Sequence, residues 1–388
     1  MSLIAPTKTV DVPNWVTYPD HDWLTITPEE AGLDPVKYAA WLEGLQVTGA
    51  SFGGEDHSRN RYGAVFTRGG YLVQAWGDRQ YQHQTASVGK ALTWVVLGVA
   101  VEDGLLDPDE PIHKSWTGEG ALSHPHKYLT EGHHETLTWR HLVGRRDESV
   151  HWGGFPFEIG NRWREQRTGL EEADAVPEIP AWANWTGDPF FDCCSHAEPG
   201  THGLYSSAGF WRLGQALTAV WGRDIKDVLQ ERLFDAIGIP AERWGWLTGR
   251  EVKEQKNFYP TIPVSYTYLD PPYEIDGHVV RSGPGWVVMS ASDLARFGHL
   301  NATRGIWKGE RIINADWLRG HSGGNKSGVS GESEQFTALG VVTTAGLPDY
   351  AHAIDTRSIL PDDIFVRPVH RTKRSLDQNR FKLPKASE

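Results

Sequence analysis

At 388 residues the chain can form two domains or one large one with a sizeable core, and its formal charge of −12 argues against a nucleic-acid partner. No apolar run approaches the roughly 20 residues that cross a bilayer. The two cysteines, Cys193 and Cys194, are adjacent, so the sequence demands neither a disulfide framework nor an oxidising compartment. No signal-peptide pattern stands at Met1, because Pro6, Lys8 and Asp11 interrupt any apolar stretch; the chain reads as cytoplasmic unless a leader has been removed.

The first thirty residues are polar and proline-rich, with Trp15 and Trp23, and are expected to wrap the surface. Asp34-Pro35 opens a helix through about Gln46, with Asp34 as N-cap, Pro35 in the first helical position, and Leu42 and Leu45 on the apolar stripe. A Gly- and Asp-rich loop over 49–60 precedes two apolar runs, 62–66 and 71–76. Arg68-Gly69-Gly70 separates them, which is a β-hairpin signal.

Next comes Ala86-Ser87-Val88-Gly89-Lys90, followed at once by an apolar run from Ala91 to Val101. The run reads as a buried helix with Ser87 at its first turn, and Lys90, three residues on, shares the face of Ser87. Lys90 is the last charge before Glu102, so it is expected to point into a cleft or a buried end. A serine hydroxyl needs a base to accept its proton, and a lysine serves where its surroundings favour the neutral amine. The helix start also offers unpaired N–H groups and a positive dipole end to a developing oxyanion. The alternative makes Ser87 a plain N-cap and Lys90 a solvated side chain.

The run 103–108 stops that helix. His113, His124, His126, His133 and His134 crowd residues 111–135, but no zinc-ligand spacing is present; a polar surface loop is expected, and no metal. Residues 136–143 read as a short capped helix. The stretch 150–200 reads as an irregular insertion, and with 241–285 it is expected to line a cleft with aromatic side chains such as Trp152 and Phe155, with Trp286 just beyond. Tyr205-Ser206-Ser207 precedes an amphipathic helix over 208–221, and a second helix spans 224–233. A capped helix over 290–297, a hairpin over 307–313, a helix over 314–318, a Gly-rich turn at 320–325 and a strand over 335–344 follow. The tail is polar and basic, with Arg371, Lys373 and Arg374. This order suggests an α/β domain built from both chain ends, 1–105 and 280–388, around an inserted mostly helical domain, 106–279, with the active site in the cleft between them.

Four segments, in one order, then carry a resemblance. They are Thr85 to Lys90 with its apolar helix and the following Glu102 to Leu106; Leu137-Thr138-Trp139-Arg140-His141-Leu142; Pro199-Gly200 through Tyr205-Ser206-Ser207, with Leu213-Gly214 beyond; and the stretch from Gly283 to Phe297. The chain resembles the serine β-lactamase and penicillin-binding-protein-like superfamily, and most nearly class C β-lactamases with the related esterases, DD-peptidases and nylon-oligomer hydrolases. The resemblance covers about residues 30 to 325. It implies an α/β (α+β) fold, β-lactamase-like, in which an antiparallel sheet is flanked by helices and a mostly helical domain is inserted. It implies Ser87 as the acylated nucleophile, Lys90 as its base partner and Tyr205 as the second proton-transfer group. His321-Ser322-Gly323 fits by type the family's Lys/His-Thr/Ser-Gly motif. The N–H groups of Gly324 and Ser87 would then form the oxyanion hole.

Three departures accompany the resemblance. No room exists for the Trp-rich strand the family places before the third motif, so a surface loop stays open for 321–324. Ser207 stands where the family has an asparagine that donates to the substrate's acyl amide, which weakens a β-lactam reading. The tail lacks the long amphipathic helix that covers the sheet. The expected function is a serine hydrolase acting through a Ser87 acyl-enzyme on a small-molecule ester or amide, with no cofactor. A β-lactamase or DD-peptidase is the alternative, and a catalytically inactive binding protein on the same fold is the second. The sequence fixes neither the substrate nor the oligomeric state.

Overall fold

A computed structural model describes residues 12–45, 63–116, 132–143, 151–155, 197–203, 205–254, 272–314, 317, 340–345 and 362–372, with backbone alone at 44–45, 83–84, 86–87, 132, 253–254, 340–345 and 362. The loop 49–60, His124 and His126, most of the 150–200 insertion with Cys193 and Cys194, most of the 314–318 helix, the turn with His321, Ser322, Gly323 and Gly324, and Lys373 and Arg374 lie outside these residues.

The two sheets around the site use strands β1 (Gly63–Arg68), β2 (Tyr71–Gly77), β3 (His83–Gln84), β4 (Gly245–Trp246), β5 (Val287–Met289) and β6 (Gly340–Ala345). Gly69 and Gly70, at φ of +57° and +84°, turn β1 into β2 as the hairpin signal predicts. The main sheet is antiparallel in the order β6-β1-β2, with Gly63 opposite both Ala345 and Gly77. A second small sheet, β3-β5-β4, leads the chain towards Ser87.

Period-two alternation sends the hairpin's side chains to two covered faces. Phe66, Tyr71 and Val73 pack with Ile26, Leu33, Ile364, Val369, and Tyr38 and Trp41 of helix α1 (Pro35–Leu45). Asp34 caps α1 as expected, its Oδ1 accepting the N–H groups of Val36 (3.0 Å) and Lys37 (3.1 Å). On the other face Val65 and Leu72 meet Trp23 and Ala295. The amino-terminal stretch is therefore not only a surface wrapping: Trp23 and Ile26 are core residues. Of the tail, residues 362–372 pack on the face of Phe66 and Val73 through Ile364 and Val369, and the backbone of His370 donates to the Glu30 carbonyl. Glu30, 2% exposed, accepts the N–H groups of Thr27 (3.0 Å) and Thr372 (2.6 Å).

The helices follow as α2 (Lys90–Glu102), α3 (Trp139–Val143), α4 (Ser207–Trp221) and α5 (Ala291–Ala302). Each of α2's residues from Lys90 to Ala100 is buried, as the uninterrupted apolar run requires. The short helix starts at Trp139, later than its expected 136, because Thr138 Oγ1 caps it through the His141 N–H (3.2 Å). The helix expected over 224–233 is α-helical at Ile225–Leu229, then makes one wide π turn at Gln230–Phe234 and ends at Gly238, with φ +74°. The histidine-rich stretch is not all surface loop. His134 is 3% exposed and packs on the Phe155 ring, 5.7 Å between centroids. Among the described residues, no helix is long and apolar enough to cross a membrane.

Ser290 Oγ caps α5 by accepting the Asp293 N–H (3.1 Å), and the helix runs past its expected end at 297 because its whole length is buried. Within it, His299 sits among Tyr18, Trp23 and Trp307, its Nε2 2.8 Å from the Thr17 carbonyl oxygen. Burial pushes this imidazole down from 6.5 to about 4, with repulsion from Arg296 adding to it. Above about pH 6.5 the ring is neutral in folded and unfolded chains alike. As pH falls towards 4 the unfolded chain binds a proton that the folded one refuses, so stability declines by up to about 3 kcal/mol. Urea unfolding at pH 7 and pH 4.5 should show the wild type losing about 2–3 kcal/mol more than His299→Gln. Equal losses in the two proteins would count against this account.

Candidate active site

The segment that begins α2 is held by its neighbours rather than by a side-chain cap. The Thr85 N–H and hydroxyl both donate to the Val287 carbonyl (2.8 and 2.9 Å), and the Val88 N–H donates back to Thr85 (3.0 Å). Ser87 therefore lies in the tight turn Ala86–Gly89, and Lys90 is the first residue of α2. The Ser87 side chain lies outside the described atoms.

Lys90 is 1% exposed, so the solvated alternative does not hold. Its Nζ donates to Tyr205 Oη at 2.8 Å, to the Pro284 carbonyl at 2.9 Å and to Ser207 Oγ at 3.2 Å. It also lies 4.7 Å from the Tyr205 ring centroid and 5.7 Å from that of Phe210. The first and third partners flank Ser206 at the start of α4. Ser206 caps that helix, its Oγ accepting the Gly209 N–H (3.0 Å), which leaves Ser207 as its first residue, turned inward and 3% exposed. Ser207 was expected to face substrate as a donor; here its hydroxyl is turned to Lys90.

Pro284 belongs to a loop that reaches Lys90 only because glycines let three backbones nearly touch. A Cβ at Gly89 would fall 2.8 Å from Gly285 Cα, and one at Gly283 would fall 2.0 Å from the Phe210 carbonyl oxygen. Thr93 Oγ1 ties the same loop to α2 through the Gly283 carbonyl (2.7 Å). Trp246 Nε1 clamps it from behind by donating to Ser282 (2.8 Å) and Gly285 (3.2 Å).

The expected aromatic cleft wall is corrected in part. Phe155 and Trp286 are core residues, 2% and 5% exposed, because Phe155 packs inward on His134 and Trp286 sits at the end of the clamped loop. Trp152 lines a cavity of about 340 Å³ with Asp109, Thr138, Arg140, His141 and Gly200, none of which touches Lys90 in the contacts above. Sequence reasoning missed three members of this arrangement. The Pro284 carbonyl and Phe210 had only the Gly283-Pro284-Gly285 spacing as a signal. His151, whose Nδ1 accepts the Ser206 N–H at 2.8 Å, had none beyond the Gly153-Gly154 that follows it.

The antiparallel sheets, the helices and the buried Lys90 cluster are those of a β-lactamase-like fold. The family described as Beta-lactamase matches residues 57–344, well over half of the chain, so the chain belongs to that family, one of serine hydrolases. Similar solved structures are found at low identity. An octameric penicillin-binding protein homologue from Pyrococcus abyssi is 16% identical over 80% of this chain and 64% of its own, with a TM-score of 0.44. A β-lactamase/D-alanine carboxypeptidase from Pseudomonas syringae is 15% identical over 81% and 74%, with a TM-score of 0.43. A candidate 6-aminohexanoate-dimer hydrolase from Bacillus anthracis is 12% identical over 90% and 88%, with a TM-score of 0.47. This chain thus spans under two thirds of the length of the Pyrococcus homologue. No curated protein matches it.

The glycine contacts yield a direct test. Gly283→Ala should cost about 1–3 kcal/mol or more, because the new methyl has only backbone to displace. Gly245→Ala, whose Cβ first meets Val288 at 3.5 Å, should change stability by less than about 1 kcal/mol. Thermal unfolding of both decides; similar melting temperatures would show that the loop can give way.

Proposed function

We propose that the protein is a serine hydrolase that acts through an acyl-enzyme on Ser87, with an ester or a small amide as substrate. The observation that carries this reading is the short contact between buried Lys90 and Tyr205 Oη, one turn beyond a serine placed before α2. Lys90, as free amine, takes the Ser87 proton while the hydroxyl oxygen attacks the substrate carbonyl. Tyr205 passes the proton on to the leaving group, and a water repeats the sequence in reverse to release the acid. The Ser87 N–H, with that of Gly324, is assigned to the oxyanion, and His321, Ser322 and Gly323 to the adjoining edge. The division into a sheet domain, 1–105 and 280–388, and an inserted helical domain, 106–279, belongs to the same proposal. Lys90 comes from the first and Tyr205 from the second.

A β-lactamase or D-alanyl amide hydrolase is the second reading, favoured by the family match. It ranks lower because Ser207, in the place of the amide donor, offers one short O–H where the amide would offer two N–H groups. A missing hydrogen bond to a buried acyl carbonyl costs about 1–3 kcal/mol, roughly tenfold to hundredfold in rate. Esters need no such donor. An inactive binding protein would have no use for a lysine kept dry between two hydroxyls.

A fluorophosphonate probe should add mass to the peptide holding Ser87 and to no other, and Ser87→Ala should abolish both labelling and turnover. Lys90→Met should slow ester hydrolysis by about a hundred- to ten-thousand-fold. Labelling elsewhere, or an active Ser87→Ala, would end the assignment. Between the two readings, kcat/KM for a short p-nitrophenyl ester should exceed that for nitrocefin. The reverse order would favour the β-lactam reading.

A further inference from the structure

His151 lies outside the proton-transfer set, yet it is 4% exposed and holds the peptide that carries Tyr205. The Ser206 N–H donates to its Nδ1 at 2.8 Å, and the ring packs on Tyr205 (5.4 Å between centroids, 35° between planes) and on Phe210 (4.8 Å). A nitrogen that accepts an N–H offers a lone pair, so the ring is neutral and its proton sits on Nε2. A proton on Nδ1 would face the Ser206 N–H head-on, with the Ser206 carbonyl oxygen, 3.2 Å away, as its alternative partner. His151 is therefore not a cation that steadies a Tyr205 phenolate.

The imidazole is itself fixed. The Trp152 N–H donates to the His141 carbonyl and the Gly200 N–H to the Trp152 carbonyl, both at 2.8 Å, so the segment is stitched to α3 on one side and to the turn before Tyr205 on the other. A Cβ at Gly153 would meet the side chains of Phe155 (3.0 Å) and Leu142 (3.2 Å). Tyr205 is thus held at two points: its hydroxyl by Lys90, and its following peptide by His151.

We propose that His151 is a positioning residue, a neutral Nε2-protonated imidazole that sets the pivot of Tyr205 and so the place where its hydroxyl meets Lys90. The proposal rests on the reading of Tyr205 as a proton-transfer group. Two substitutions separate the acceptor from the ring. In His151→Asn the amide oxygen takes the place of Nδ1 and keeps the bond to Ser206. In His151→Phe the packing volume stays and the acceptor is lost. With a p-nitrophenyl ester, His151→Asn should keep kcat within about threefold of wild type, while His151→Phe should lose about tenfold to hundredfold in kcat with little change in KM. Equal losses in both variants, or a loss confined to KM, would overturn the proposal.

Histidine 15N spectra supply a readout that does not depend on turnover. The resonances missing from His151→Asn should show the Nε2–H tautomer in the wild type at pH 7. An Nδ1–H tautomer or an imidazolium there would also overturn the proposal. A wild type that neither turns over esters nor takes up the fluorophosphonate would instead defeat the functional reading, and the tautomer measurement would still decide the role of His151 at Ser206.

Discussion

The arrangement depends on one buried lysine. Taking its amino group out of water carries a cost, and that cost is offset only when its N–H donors meet acceptors at good geometry. Lys90 meets three oxygens from two separate stretches: the Tyr205 and Ser207 hydroxyls at the start of α4, and the Pro284 carbonyl on the loop before β5. Each stretch must therefore be in place for the other to be tolerated. The site is in this sense a packing problem before it is a chemical one.

The packing is solved at the scale of single methyl groups. Helix α2, helix α4 and the 282–285 loop cross so closely that Gly89, Gly214 and Gly283 have backbone where a side chain would begin. Thr93 and Trp246 then fix the loop's carbonyls with hydrogen bonds, and Thr85 holds Val287 just beyond it, so that the carbonyl at Pro284 points to the lysine. Across the arm, His151 and Ser206 set the approach of Tyr205 from the opposite side. Interiors packed this tightly leave few alternative positions for a side chain.

Much of the fold could be read from short-range signals. The hairpin was legible in Arg68-Gly69-Gly70, α1 in Asp34-Pro35, and α5 in Ser290 three residues before Asp293. The spacing of Ser87 and Lys90 before an apolar run marked where the chemistry would be sought, and the lysine is indeed buried there. What stayed hidden depends on partners far along the chain. His134 and Phe155 read as loop and cleft residues because nothing local says that they pack on each other. Arg68 reads as a turn residue, yet it is 1% exposed, donating to the Ala31 and Arg367 carbonyls between the Trp15 and Phe365 rings. Neither does any pattern around His151 announce a contact 55 residues away.

The pairing of Glu30 with Thr372 gives residues 362–372 a role that their composition conceals. They lie outside the family match, but they complete the covering of the sheet face that holds Phe66 and Val73. A proteolytic nick that released them would strand a buried carboxylate and bare an apolar sheet face, the kind of surface on which chains associate. Losing this strap would thus show first as clumping of an otherwise folded enzyme.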